Sequence, residues 1–356
     1  MGGPFAIPQV TADLVAESKD GWSASSLLFS TSRLANMIDP RSPLPWLTPS
    51  DFPEQRRGEK FDEAWHYTDE AGLRGILASQ SIWASSHRSL NDTSEISFGV
   101  TAVRSAWEQS IPRLVEGAPV ELITAWLGEA EALAAALDFF FVSATIHGDS
   151  LDHWKFYAAG SKPGIAIGFA PDAEFRVLAP PENPQLFQPD FVPTLYWREI
   201  QYGTFDLDWS QRVDNKIWET ISFALRSFAN LADGRVTDEP RMESALAYVY
   251  LATVAASKHV AFANEDEIRL IAIEPPFPNL AQTGDSKFGD KRFMSLVAAE
   301  QELVKYSSFE RLTLPITAVR VGPGEGSDER VKTARELLDD AGLVSVPVLK
   351  SVIPFR

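Results

Sequence analysis

The stretch Trp65–Glu95, reading WHYTDEAGLRGILASQSIWASSHRSLNDTSE, constrains the fold most, because it sets strand, helix, strand and turn in immediate succession. A short strand ends in His66, Tyr67 and Thr68. Asp69 and Glu70 then open a helix whose Leu73, Ile76 and Leu77 recur at helical spacing. Thr68 is the expected N-cap, its hydroxyl accepting from a free amide of the first turn, while the two acids suit the positive end of the helix dipole. Ile82–Ser85 reads as a second short strand, and the polar turn around Leu90, Asn91 and Asp92 leads into another helix.

Further along, Ile96, Val100, Val103 and Trp107 mark one helical face, broken at Pro112. Leu122, Trp126, Leu133 and Leu137 mark a second, with Pro119 near its first turn. Asp138–Thr145, DFFFVSAT, is apolar on both faces and predicts a central strand. A short helix with Leu151, Trp154 and Ala158 precedes a strand over 164–169, in which Ala166 and Gly168 are small enough to admit another backbone or a ligand. Residues 180–195 are Pro-rich and read as a loop. A strand over 194–202 then leads to two long helices, 209–231 and 241–263. The remainder predicts a strand over 266–274, a polar loop over 282–291, a strand near 303–306, and a closing strand, helix and strand between Pro315 and Ser351. Residues 1–60 hold two Pro-rich runs and read as an extension packed on a single α+β domain that covers 61–356.

A chain of 356 residues with 45% hydrophobic and 23% charged residues has enough apolar surface to fold by burial. It holds no cysteine, which excludes disulfides, thiolate metal sites and a cysteine nucleophile, and is compatible with a reducing cytoplasm. The N-terminus lacks the basic and apolar regions of a signal peptide, and no apolar run is long enough to span a bilayer, so a soluble cytoplasmic protein without membrane contact is expected. A net charge of -17 opposes nonspecific binding to phosphate backbones. His66, His87, His147, His153 and His259 show no zinc-like spacing, and neither a nucleophile elbow nor a phosphate-binding P-loop occurs, so no metal is expected. GPGEG at 322–326 falls short of a dinucleotide loop and places acids where a pyrophosphate would sit. It reads as a plain turn with Ser327 as N-cap.

Several separated motifs resemble the bacterial family catalogued as domain of unknown function 2971. These are HYTxxxGLxxIL at 66–77, Trp83, LNDxxE at 90–95, SLDHWKFYA at 150–158, GIAIGF at 164–169, KHVAFANEDEIRLI at 258–271, VRVGPG at 319–324 and VPVLKSVIPFR at 346–356. A strand that ends in His, Tyr, Thr and feeds a GLxxIL helix is also similar to the first motif of ADP-ribosyltransferases of the DNA-modifying toxin type. That resemblance implies an ADP-ribosyltransferase-like split β-sheet with a helical insertion at about 209–263. It also implies NAD as substrate, transfer of ADP-ribose to a macromolecule (protein or nucleic acid), a toxin or phage-defence setting and a cognate antitoxin or inhibitor protein.

Glu265, Glu267 and Arg269 alternate with Asp266, Ile268 and Leu270, so a strand there would align the three charged side chains on one face. By the resemblance, an acid on a late strand bonds a ribose hydroxyl and stabilises an oxocarbenium-like centre. Glu267 is the expected catalytic carboxylate, supported by Glu265, Arg269, Asn91 and Asp92. His66 would bond the adenosine ribose and Tyr67 line the nicotinamide pocket, whereas Thr68 stands where the best-known form of the motif has an acid. Ser143, Trp154 and Tyr157 would complete the pocket. His66 and Glu267 are thus expected on neighbouring strands lining one cleft. The simpler alternatives are an edge salt bridge for the acidic triplet, core packing for the aromatic residues, and a noncatalytic module that binds a nucleotide or a partner on the same fold.

Overall fold

The structure is a computed structural model and describes residues 61–354 apart from 90–93, 114–117, 119, 159–162, 179–194, 204–215, 233–234, 236–238, 275–279, 287–288 and 300–312. The N-terminal extension, Asn91, Asp92, most of the Pro-rich run and the strand expected near 303–306 lie outside the described residues.

In chain order the elements are β1 (Ala64–Thr68), α1 (Glu70–Ser79), β2 (Ile82–Ser86), α2 (Glu95–Ser110), α3 (Val120–Ala136), β3 (Asp138–Thr145), α4 (Leu151–Phe156), β4 (Ile165–Phe169), β5 (Phe175–Val177), β6 (Arg198–Glu199) and β7 (Gln201–Tyr202). Then follow α5 (Lys216–Ala232), α6 (Glu239–Ala255), β8 (Ser257–Lys258), β9 (Glu267–Glu274), β10 (Gln282–Ser286), β11 (Gly289–Ala298), β12 (Ile316–Val321), α7 (Ser327–Asp340) and β13 (Val348–Lys350). The class is mixed α+β. One mixed sheet runs β10-β11-β2-β3-β1-β4-β12-β13, with only β12 and β13 parallel among these neighbours.

β3 is the pivot of the sheet. Its whole length pairs with β9 on one edge. The other edge carries β2 at Phe140 and Phe141 and β1 only at Thr145, so the sheet divides there and Ser143 falls in the gap. Because side chains alternate across a strand, both faces of β3 are buried. Phe140, Val142 and Ala144 join Leu73, Ile76 and Leu77 of α1 and Ala334 and Leu338 of α7 in one core. Phe139 and Phe141 join α2, α3, α5 and α6 in a second.

Several local expectations are corrected by partners that the sequence pattern does not display. Thr68 remains in the ladder opposite Ile165, so Asp69 caps α1 instead, its carboxylate accepting from the Gly72 amide at 2.9 Å. The strand expected over 194–202 is interrupted because the chain changes partners: Ile200 donates its amide to Glu267 and Gln201 to Ala256. The second long helix stops at Ala255, and the chain continues as β8 and a 3₁₀ segment, Val260–Glu265. The polar loop over 282–291 is a hairpin of β10 and β11. The space left by Gly168 is taken by the Thr317 hydroxyl and the Trp65 indole, 3.1 and 3.2 Å from where a Cβ would stand. At 322–326 the helix is capped by Gly326 at φ 80°, while the Ser327 hydroxyl sits 3.0 and 2.7 Å from the Gly322 and Gly324 carbonyls.

Helices α2 and α6 approach closely at Gly99, where a Cβ would stand 2.2 Å from the Val254 carbonyl oxygen. Alanine is the better helix former by up to about 1 kcal/mol, yet forced overpacking costs about 1–3 kcal/mol, so the clash decides the sign. Gly99→Ala is expected to lower the free energy of unfolding, measurable by urea titration. An unchanged or raised midpoint would show that α2 and α6 separate without cost.

Candidate functional site

Strand register builds the site before any side chain is considered. Trp65 pairs with Thr145 and Thr145 with Glu267, while Ser143 pairs with Arg269. Directly opposed residues point to the same face, so Ser143, Thr145, Glu267 and Arg269 share the face of Phe141. The alternate residues Ile268 and Leu270 enter the other core. Where α6 ends, β8 delivers Lys258 and the start of α2 delivers Glu95 onto the same charged face. A cavity of about 580 Å³ opens beside them. Its walls include His66, Tyr67, Ser143, His153, Phe156, Tyr157, Phe262, Glu265 and Glu267. His66 and Glu267 therefore share one cleft, although their strands are not neighbours: β3 lies between β1 and β9.

Arg269 is the centre of the charged cluster and only 1% exposed. Its Nε donates to Glu267 Oε1 at 2.6 Å and its Nη2 to Glu267 Oε2 at 2.8 Å and Glu95 Oε1 at 3.0 Å, while Nη1 donates to the Ala255 carbonyl at 3.3 Å. The 2.8 Å approach of Nη1 to Glu95 Oε2 is a charge contact and not an aligned hydrogen bond, because that oxygen accepts none among the described residues. The guanidinium also lies over the Phe141 ring, 4.6 Å from its centroid. Lys258 Nζ joins the cluster at 2.9 Å from Glu267 Oε2 and 2.6 Å from Glu265 Oε2.

These contacts decide protonation. Burial alone would push the Glu267 carboxyl up, but Arg269 and Lys258 more than reverse that and hold it at about 2. Burial likewise opposes the charged forms of Lys258 and Arg269, and the carboxylates raise both above their ordinary values. Every member of the Glu267–Arg269–Lys258 core is ionised at neutral pH. The expected edge salt bridge is instead a buried pair within one strand, extended to neighbours from α2 and β8.

Glu265 reaches the cluster by a different route from the alternation expected of a strand. It ends the 3₁₀ segment, and Asp266 turns the chain through the left-handed region, φ 39° and ψ 50°, before β9 begins. Asp tolerates that region better than most residues, and here His147 Nε2 holds its carboxylate at 2.7 Å. The Glu265 carbonyl accepts from the Thr145 hydroxyl at 2.8 Å and from His153 Nε2 at 3.2 Å, so its backbone is fixed from two sides. Its carboxylate accepts from the Tyr157 hydroxyl at 2.6 Å across the cleft. Burial and this hydrogen bond to Glu265 both push the Tyr157 phenol up, so it stays a neutral donor.

His66 occupies the gap in the sheet, where its Nδ1 lies 2.9 Å from the Ser143 carbonyl. A carbonyl only accepts, so the neutral ring carries its proton on Nδ1 and keeps the lone pair on Nε2. Burial holds His66 below its ordinary value, against the raising effect of that bond. Tyr67 lines the cleft, and its hydroxyl is engaged by the His147 carbonyl and the Ser150 amide. Ser143 lines it too, its hydroxyl helping to keep Glu267 ionised. Trp154 departs from expectation: it stacks edge-on behind Tyr67 and donates to Asp149, so it supports the wall without lining the cleft. Thr68 is also outside the lining, because its side chain is turned toward Gly72 of α1.

Lys258, Glu95, His153, Phe262 and Tyr202, which accepts from the Glu267 amide at 2.7 Å, were not singled out by sequence reasoning. Glu95 ends the stretch LNDTSE and Lys258 begins KHVAFANEDEIRLI, but neither stretch marks its charge as a partner of Glu267 and Arg269. The apolar look of 241–263 instead drew Lys258 into a helix. No family model, curated protein or solved structure matches the chain.

Removing one member of a buried ion pair costs about 3–5 kcal/mol because its partner keeps an uncompensated charge. Glu267→Gln and Arg269→Met are both expected to lower stability on that scale in chemical denaturation; a loss within the range of exposed pairs, up to about 1 kcal/mol, would mean that the cluster is hydrated.

The histidines give a separate pH dependence. His66 and His153 are both held below the ordinary value of 6.5 by burial, so below that pH the unfolded chain binds protons that the folded chain does not. Stability from these two groups is intact above pH 6.5 and is lost as pH falls toward their depressed values. Glu267 adds loss only below 4.5, continuing toward about 2. Glu129, whose carboxyl burial raises to about 7, takes up a proton on folding over the same interval and acts in the opposite direction. The histidine contribution is therefore read by difference: between pH 7 and 5 the melting temperature of His153→Gln should fall less, or rise more, than that of the wild type. An identical pH dependence in the two proteins would contradict the burial of the His153 ring.

Proposed function

We propose that the chain is an ADP-ribosyltransferase-type enzyme that cleaves the nicotinamide–ribose bond of NAD and transfers ADP-ribose to a macromolecular acceptor, in a toxin or phage-defence setting. The observation that carries this reading is the convergence of His66 from β1, Glu265 from the end of the 3₁₀ segment and Glu267 from the start of β9 on one aromatic-walled cleft. The dividing edge of β3 suits the split-sheet architecture that the HYT motif implies, and the wording of several motifs suits the family catalogued as domain of unknown function 2971. Asn91 and Asp92, expected to support the site, lie outside the described residues.

In this chemistry the C–N glycosidic bond breaks with its electron pair going to nicotinamide, which leaves neutral, and positive charge develops on the ribose. An acceptor hydroxyl then bonds to the anomeric carbon and its proton passes to water. Fixed carboxylates beside the ribose favour the cationic transition state, as in other glycosidic cleavage. Tyr67, Phe156 and Tyr157 supply planar apolar surface for nicotinamide, and the Nε2 lone pair of His66 accepts from a ribose hydroxyl.

One observation favours a second reading. Both oxygens of Glu267 are engaged by Arg269 and Lys258, which suits a rigid module that binds a nucleotide without turning it over. Saturating NAD should raise the melting temperature under either account, since a ligand of the folded state stabilises by mass action. Release of nicotinamide, followed by chromatography, separates the two accounts, and NAD labelled in the adenylate identifies the acceptor in cell extract. His66→Ala should weaken NAD binding by about tenfold, the scale of one lost hydrogen bond. Absence of both a thermal shift and a calorimetric heat with NAD would end the reading.

A further inference from the structure

We infer that Glu265, not Glu267, is the carboxylate that meets the sugar hydroxyl of the ligand, and that Glu267 is a positioning residue that acts through Lys258. This rests on the reading of the cleft as an NAD site and assigns the roles within it.

The two acids differ in what their oxygens are already doing. Glu267 is 6% exposed and accepts from Arg269 on both oxygens and from Lys258 on one. Glu267 Oε1 keeps acceptor capacity beside the Arg269 Nε bond, but the two-point ion pair fixes the direction of that carboxylate, so a ligand hydroxyl has to come to it in the buried cluster. Glu265 has a side chain 22% exposed. Its Oε2 is steered by Lys258, and among the described residues its Oε1 accepts only from the phenol of Tyr157, a residue that is itself 44% exposed. A sugar hydroxyl is the same kind of donor as that phenol. It can take the place of Tyr157 at 2.6 Å without leaving a charge unpaired, and the displaced phenol can turn to solvent.

The backbone supports this assignment. Thr145 and His153 both hold the Glu265 carbonyl, and the left-handed turn at Asp266 fixes the direction in which the side chain leaves the chain. Glu265 is thus held firmly at its base with one oxygen exchangeable, as a ligand-contacting group requires. Glu267 fixes Lys258, and Lys258 fixes Glu265.

The test uses the full chain. Carbodiimide coupling at mildly acidic pH, read by peptide mass spectrometry, should modify Glu265 and spare Glu267. NAD should protect Glu265, and Tyr157→Phe should speed its modification by removing the competing donor. Coupling at Glu267 ahead of Glu265 would overturn the assignment whether or not NAD is turned over. In nicotinamide release, Glu265→Gln should lower kcat by about 10²- to 10³-fold with little change in KM or melting temperature. Glu267→Gln should lower the melting temperature and, in its folded fraction, reduce kcat by a smaller factor. A folded Glu267→Gln protein without activity beside a fully active Glu265→Gln protein would reverse the roles. A wild-type protein that neither binds nor cleaves NAD would instead sink the underlying reading, leaving the coupling pattern alone to judge which carboxylate is exchangeable.

Discussion

The contact on which the rest of the site depends is the two-point ion pair between Arg269 and Glu267 on the helical face of β9. A guanidinium that is 1% exposed is tolerated only where its N–H groups and charge are satisfied. That requirement fixes the start of α2 through Glu95, the end of α6 through the Ala255 carbonyl, and β8 through Lys258. Apolar residues of similar volume would hold these elements together at least as well, since burying charges gives back much of what their attraction supplies. A buried ionic cluster opening onto a cavity is better accounted for by what the cavity must hold than by stability.

The location of the cleft follows from how the sheet is covered. One core lies under α1 and α7, the other under α2, α3, α5 and α6, and β3 is shared by both. A third, smaller cluster of Trp65, Tyr67, Trp154, Ala158, Ala166 and Ala318 covers the wing beyond the division of β3. The cleft lies between the second and third clusters, where neither closes over Ser143 and Thr145. Its aromatic wall is braced from outside the sheet: Asp149 receives the Trp154 indole, the Ser351 hydroxyl and the Val352 amide, which ties the chain after β13 to the turn that engages Tyr67. A cleft braced in this way is largely formed before a ligand arrives, which lowers the ordering cost of binding.

What was legible in the sequence is what local pattern encodes. DFFFVSAT spans β3 from Asp138 to Thr145, because a strand buried on both faces has no polar alternation to blur its ends. The strand, helix, strand order of 64–86 and the closing strand, helix, strand were equally readable. Tertiary partners decided the rest. Thr68 and Asp69 are both good caps, and only the pairing of Thr68 with Ile165 selects Asp69. The helical pattern through 241–263 is cut by the pairing of Ser257 with Gln201, which no periodicity displays. The co-facing of Glu267 and Arg269 was visible as alternation, whereas the membership of Glu95, far away in sequence, and of Lys258 was not, because a charge looks alike whether it is solvated or buried.

The balance of charge also orients any dinucleotide in this cleft. Glu95, Glu265 and Glu267 outnumber Lys258 and Arg269, and both cations are already held by carboxylates, so the cluster offers no surplus positive charge to a pyrophosphate. Coulomb energy in a partly buried site, several kcal/mol at contact distance for an effective dielectric constant of about 20, then favours a cationic or hydroxyl-bearing end next to Glu265 and disfavours a phosphate there. Under the proposed NAD reading, the same field that disfavours phosphate beside Glu265 would stabilise positive charge developing on a ribose held there.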